Sequence, residues 1–176
     1  VPAFGKEKVA EIDVFIEDGK TTKQYIEDTI WNVYRATKNS PHVLQSIHMA
    51  LEKYFLERAE HIDSKILESW LLYLLKNTKS SSITAVVVSI VLAFPDKTFN
   101  VARLLFQTKE FFIYDTHRMA LENEVMGIYS PEYGTLFQNE RIETRNDKHR
   151  KKSLEHIALE YQVFRTGEIS DEKFDE

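Results

Sequence analysis

The sequence has no cysteine, few glycines and few prolines, and each shortage excludes a class of protein. Without cysteine the 176-residue chain can form no disulfide, no thiolate metal site and no cysteine nucleophile. Five glycines and four prolines are too few for an all-β sandwich or barrel, which needs a turn about every 8 to 12 residues. The net charge of −5 is also unlike the strongly positive charge of a dedicated nucleic-acid binder. Composition therefore favours a helical protein.

Apolar residues recur at helical spacing in segments that turn residues separate. This spacing predicts helices over residues 4–18, 22–38, 41–61, 64–77, 83–94, 99–107, 109–124, 138–144 and 148–165, with a loop at 127–137. We therefore expect an all-α fold, either an irregular helical bundle or a short HEAT- or TPR-like array of about eight or nine helices. Residues 1–166 would form a single domain, and the acidic residues 167–176 a loosely ordered tail.

Two of these helices carry the clearest apolar patterns. In the helix that follows Pro41, one face consists of Leu44, Ile47, His48, Leu51, Tyr54 and Phe55, which we expect to point inward. The apolar face of 64–77 is so wide that it must contact more than one neighbour. Four capping positions are predicted at Ser40, at Asp63 or Ser64, at Ser80–Ser82 and at Asp96.

The segment 83–94, ITAVVVSIVLAF, is apolar on nearly every side. Its 12 residues are too few for a membrane span, which takes roughly 17 to 25. Its β-branched residues would suit a buried strand, but no other segment offers a comparable strand signal to pair with it. We therefore prefer a central helix that is buried on most sides.

Motifs for the common catalytic chemistries are missing. The chain has no G-x-x-x-x-G-K phosphate loop, no G-x-S-x-G nucleophile elbow and no H-E-x-x-H zinc motif. Asp115, His117 and Glu122 lie close enough in sequence for an acid–base or metal-dependent hydrolytic site. Ion pairs of Arg118 with Asp115 and Glu122 on a helix surface explain the same pattern. We expect no catalytic residue, no metal and no cofactor.

One stretch of the chain is locally basic. Residues 145–152, RNDKHRKK, contain five Lys or Arg and one Asp, and could bind phosphate or nucleic acid. The candidate contacts are Arg145, Lys148, His149, Arg150, Lys151 and Lys152. The alternative is a solvated helix start that nearby glutamates neutralise, and the run has no aromatic residues for base stacking.

Four stretches resemble a known family. They are ESWLLYLLK at 68–76, SITAVV at 82–87, AFPDKTFNVA at 93–102 and TKEFFIYDTHR at 108–118. Together they look like an interior helical region of very large bacterial STAND-type ATPases, the class that includes the Avs antiphage sensors, over residues 40–165. The resemblance implies a helical scaffold or sensor segment rather than the ATPase module. No Walker residues are present, so no nucleotide-binding residue is carried over.

These observations favour a non-catalytic helical interaction, scaffold or sensor segment of a larger multidomain bacterial protein in the cytoplasm. Because the chain begins with Val1 rather than Met, we expect it to be a piece of something longer. Its expected partners are other domains of the parent chain or a separate protein, not nucleic acid and not a membrane. Oligomerisation stays open. The alternatives are the hydrolase at Asp115, His117 and Glu122 and the phosphate or nucleic-acid binder at 145–152.

Overall fold

The computed structural model describes residues 9–35, 37–38, 40–124, 144 and 147–163. These ranges contain two strands, β1 (Ala10–Glu17) and β2 (Lys20–Ile26), and seven α-helices. The helices are α1 (Asp28–Trp31), α2 (His42–His61), α3 (Ser64–Asn77), α4 (Ser81–Ala93), α5 (Phe99–Leu105), α6 (Lys109–Glu124) and α7 (Leu154–Val163). Short 3₁₀ helices occur at Val33–Arg35, Pro95–Lys97 and Lys148–Lys151. The fold is thus mainly helical, as predicted, but it includes a small sheet, and the described part has seven α-helices rather than eight or nine.

The hairpin replaces one predicted helix and the start of another. Strands β1 and β2 pair antiparallel where helix 4–18 and the first part of helix 22–38 were expected, so both predictions are wrong over these strands. The rest of 22–38 does contain helical turns, in α1 and in the 3₁₀ helix Val33–Arg35. In β1, buried Ile12 and Val14 alternate with exposed acids, which is the two-residue period of a half-buried strand. The same apolar residues also match a helical pattern over so short a window, which is why the two periods were confused.

The turn between β1 and β2 contained the sequence signal that distinguishes a hairpin from a helix. Asp18 and Gly19 join β1 to β2, and an Asp-Gly pair between strands is a strong hairpin signal. Gly19 has a φ of 74°, a left-handed conformation that a side chain disfavours. At the other end of β2, the Tyr25 amide donates to the Lys79 carbonyl at 2.8 Å and ties the hairpin to the start of α4.

Helix α4 is the centre of the core, as predicted. Its fully buried apolar residues are Ala85, Val86, Val87, Val88, Ile90 and Val91. Helices α2, α3 and α5 all pack against it. A helix satisfies its own backbone groups, so it can be buried on every side without a pairing partner, whereas a strand could not.

The helix ends follow the predictions in part. Ser80 and Asp63 cap α4 and α3 by accepting hydrogen bonds from the amides of Ser82 and Lys65, as expected. Ser40 does not cap α2; its hydroxyl accepts from the Gln45 side chain instead. Asp96 does not cap α5 either, because it lies within the 3₁₀ helix Pro95–Lys97.

The C-terminal predictions meet the structure only in part. The helix predicted over 148–165 divides into the 3₁₀ helix Lys148–Lys151 and α7, with a break at 152–153. The loop at 127–137, the helix at 138–144 apart from Thr144, and the tail at 167–176 lie outside the described residues. Within the described ranges, no helix is both long and apolar enough to cross a bilayer.

Candidate functional site

The basic run 145–152 does not present its charges together. Of the candidate residues that the structure describes, Lys148 and Lys151 are exposed, while Arg150 is buried. Lys152 extends its ammonium group to Glu160 of α7, 2.6 Å from Oε1. Arg145 lies outside the described residues. The prediction of phosphate or nucleic-acid binding therefore depends on fewer exposed cations than the sequence suggests.

Arg150 belongs to a buried ion pair. Its Nη2 donates to Glu52 Oε2 of α2 at 2.9 Å, and Ser89 of α4 donates its hydroxyl to the other oxygen of Glu52. Burial pushes the pKa of Glu52 upward, but the charges of Arg150 and Arg35 and the two hydrogen bonds outweigh it and leave that pKa lowered. Glu52 is thus a buried carboxylate that stays ionised.

His149 is drawn into the same environment. Burial is the largest influence on it, followed by the positive charge of Arg150, and together they lower the pKa of His149 to about 4. Its Nε2 is buried and has no hydrogen-bond partner within the described part of the chain. At neutral pH the imidazole is therefore uncharged, so it cannot add to a cationic binding surface.

A second set of buried charges is organised by Arg118 of α6. Its guanidinium donates to Asp115 Oδ1 at 2.8 Å, to Glu122 Oε2 at 3.3 Å and to the Arg150 carbonyl at 3.0 Å, and it also donates to the Lys152 carbonyl. Burial acts to lower the pKa of Arg118, but the neighbouring negative charges, above all Asp115, raise it. The pairs expected on a helix surface do form, but they are inside the protein.

These contacts attach the C-terminal segment to the body of the fold. Asp115 Oδ2 accepts the Leu154 amide at 2.8 Å, at the first turn of α7. Glu122 receives a further hydrogen bond from Arg35 Nε of the 3₁₀ helix Val33–Arg35. We call Arg35, Glu52, Asp115, Arg118, Glu122 and Arg150 the buried ion network. It holds three cations and three carboxylates, so its formal charges balance.

The proposed hydrolytic residues are not gathered at one centre. Asp115 and Glu122 belong to the buried ion network, whereas His117 Nδ1 lies 2.7 Å from Asp28 Oδ1 of α1. Asp28 in turn binds Asn32 and the ammonium group of Lys38. Among the described residues, no group of three or more His, Asp or Glu side chains is arranged to hold a metal ion.

Helix α2 exposes several large apolar side chains. On α2, Leu44, Ile47 and Tyr54 are about half exposed, contrary to the inward face predicted for them. His48 and Phe55 of the same predicted face are buried, and His48 Nε2 lies 2.9 Å from Ser82 Oγ of α4. The prediction is thus correct for His48 and Phe55, but the inward face is narrower than predicted and does not include Leu44, Ile47 and Tyr54.

Three apolar residues of α2 lie on the side of the helix that contacts α3. Buried Phe55 contacts Trp70 of α3 edge to face, with ring centroids 6.2 Å apart, which identifies the side of α2 that faces α3. Helical spacing places Leu44, Ile47 and Leu51 on that same side, at eleven, eight and four residues before Phe55. On α3, Ile66 and Tyr73 lie one turn before and after Trp70.

We call this surface the α2–α3 face. It consists of Leu44, Ile47, Leu51, Tyr54 and Phe55 on α2 and of Ile66, Trp70, Tyr73 and Leu74 on α3. Phe55 is buried, Leu51 and Leu74 are partly covered, and the other six residues are at least 37% exposed. The wide apolar pattern of 64–77 was the sequence signal for it, since a helix with such a pattern needs more than one neighbour.

Comparison of the chain with protein-family models and with curated proteins finds no match.

Proposed function

We propose that this chain is a non-catalytic helical interaction or scaffold segment of a larger multidomain bacterial protein in the cytoplasm. The observation that carries the proposal is the exposed apolar surface of α2 and α3. Single exposed apolar residues are common on soluble proteins, but a contiguous patch marks a site of interaction. The resemblance to the helical regions of STAND-type ATPases supports the same proposal.

The composition of the patch fits a protein interface. Six large apolar residues of the α2–α3 face are exposed: Leu44, Ile47, Tyr54, Ile66, Trp70 and Tyr73. Tryptophan and tyrosine are also the residues that most often dominate binding energy at such interfaces.

The alternative functions receive less support. Asp115 and Glu122 each bind buried arginines, so a hydrolase at Asp115, His117 and Glu122 would have to break the contacts that hold α7. A phosphate or nucleic-acid site at 145–152 would lose Arg150 to Glu52. Both carboxylates and Arg150 have structural roles that account for them.

Site-specific photo-crosslinking in the producing cell tests the proposal. A photoreactive amino acid replaces Tyr73 on the α2–α3 face or, as a matched control, Glu60 on the opposite side of α2; both positions are exposed. We expect discrete protein adducts from position 73 that are absent from position 60. Identical adduct patterns at the two positions, or no adduct at position 73, would contradict an interaction role for this face.

A further inference from the structure

The outer edge of β1 carries backbone groups that β2 does not pair. Strand β2 occupies one side of β1. We propose that the other side binds an extended segment of a protein partner, in which basic residues alternate with apolar ones. This edge is a different surface from the α2–α3 face, so the inference goes beyond the proposed function.

One hydrogen bond establishes which backbone groups face outward. The Tyr25 amide donates to the Lys79 carbonyl at 2.8 Å, so the backbone of Tyr25 points away from β1. Its partner in the antiparallel register is Glu11, whose backbone must then point away from β2. Because this direction alternates along a strand, the N–H and C=O groups of Asp13 and Phe15 face outward as well.

These outward groups have no backbone partner within the described part of the chain. No backbone hydrogen bond joins Glu11, Asp13 or Phe15 to a residue outside the hairpin. A row of unpaired N–H and C=O groups is a template on which a further strand can form. A sheet of two strands is only marginally stable, so a third strand would also stabilise it.

The two faces of β1 determine which side chains a third strand would carry. Glu11 and Asp13 are exposed, whereas Ile12 and Val14 are buried on the side that packs on helices α3 and α5. Residues directly opposite one another on neighbouring strands lie on the same face of a sheet. The partner would therefore place alternate residues beside the two acids, and an apolar residue between them beside Ile12.

The two exposed acids share one cation. Lys23 Nζ of β2 lies 2.9 Å from Asp13 Oδ2 and 3.8 Å from Glu11 Oε1, so a single ammonium group faces two carboxylates. Lys20, the other lysine of β2, pairs with Glu17 at 3.0 Å. The exposed face thus keeps an excess of negative charge beside the edge, and lysine or arginine at alternate positions of the partner would complement it.

The same acids oppose the pairing of β1 with a second copy of itself. Two β1 strands related by a twofold axis would bring Glu11 and Asp13 of one copy close to those of the other. Like charges on neighbouring strands destabilise a sheet, and charged side chains are a common protection of edge strands against self-association. The edge therefore favours a strand of opposite charge.

Peptide binding and hydrogen exchange by NMR test this site on the full chain. Two peptides of eight residues alternate valine with lysine or with glutamate, and a third is the lysine peptide with all its backbone nitrogens methylated. We expect the lysine peptide to slow exchange at the amides of Glu11, Asp13 and Phe15, with little change at Ile12 and Val14, whose amides face β2. The glutamate peptide should bind about tenfold more weakly, and the methylated peptide should give no protection.

Two double variants link the charge preference to the edge. Glu11→Gln with Asp13→Asn should abolish the preference between the lysine and glutamate peptides. Glu11→Lys with Asp13→Lys should reverse it. Glu60→Lys, which changes an exposed acid on α2, should leave both affinities unchanged. Circular dichroism establishes that each variant is folded.

The outcomes separate this inference from the proposed function. Protection of the three outward amides in the free chain at low concentration would show that the edge is already occupied and would overturn the inference. Protection that appears only as the concentration of the free chain rises would assign the edge to a second copy instead. Binding of the methylated peptide would exclude strand addition, and equal affinities for the lysine and glutamate peptides would exclude a basic partner. Crosslinking at position 73 affects none of these results.

Discussion

Replacing Arg118 with methionine should cost more stability than any single change at the surface. The Arg118 side chain is 1% exposed and donates to two carboxylates and two backbone carbonyls. Methionine fills much of the same volume but donates no hydrogen bond, so the buried Asp115 carboxylate loses its cation and keeps only the Leu154 amide, while Glu122 keeps only Arg35. Loss of one member of a buried pair costs about 3 to 5 kcal/mol.

That cost is a large share of the total for a domain of ordinary stability, which is about 5 to 15 kcal/mol. Urea unfolding measured by circular dichroism gives the change in free energy. Hydrogen exchange gives its location, because Asp115 and Arg118 hold residues 150–154. We expect the amides at the start of α7 to lose protection before those of α4.

A matched control and a double variant complete the test. Lys20→Met removes a cation whose pair with Glu17 is exposed, so the free energy of unfolding should not change measurably. Combining Arg118→Met with Asp115→Asn should cost less than the sum of the two single changes, because the uncharged amide at position 115 no longer carries the charge that Arg118 balanced. A loss below about 1 kcal/mol for Arg118→Met, or strict additivity, would refute the assignment of the network as a structural element.

Two further predictions concern the pH dependence of stability and the hairpin. The pKa of His149 is about 4 in the folded state and 6.5 for the free side chain, so as the pH falls the unfolded chain takes up a proton before the folded chain does. The free energy of unfolding should therefore fall by on the order of 3 kcal/mol as the pH drops from 6.5 to 4. Urea titrations at several pH values should show that His149→Gln removes most of this loss, and an unchanged dependence of stability on pH would contradict the prediction. Gly19→Ala should lower the free energy of unfolding by about 1 kcal/mol, and Gly19→Asn should lower it less. Nothing lies within 4 Å of the added Cβ, so the left-handed backbone conformation is the only source of the cost. Equal thermal midpoints for Gly19→Ala and the parent chain would show that the turn can change conformation freely.

The sequence predicted the parts of the fold that depend on local signals and long apolar patterns. The position of α3 and its Asp63 cap, the burial of α4 and its Ser80 cap, and the span of α6 were all confirmed. In α3 and α6 the sequence continues at helical spacing for several turns, and in α4 the helix was preferred because no second strand was available to pair with it. Each strand of the hairpin has only seven or eight residues, and only the Asp18-Gly19 turn separated the hairpin from a helix.

The buried ion network and the α2–α3 face were harder to predict, because they depend on contacts between residues that are far apart in the sequence. Arg150 and Glu52 are 98 residues apart, and nothing in the basic run indicates that one of its arginines points inward. The Arg118 pairs with Asp115 and Glu122 could be predicted from helical spacing, but not their burial. Likewise the exposure of Ile47 and Tyr54 follows from how α2 packs on α4, which a single helix pattern does not reveal.

The hairpin depends on helices that come later in the chain, which constrains the order of folding. Two strands alone are only marginally stable in water, and Val14 and Ile26 become fully buried against helices that follow later in the chain. The Tyr25 amide likewise waits for the Lys79 carbonyl, 54 residues further on. Within this chain, the strands therefore cannot take up their buried positions before α3, α4 and α5 have been synthesised.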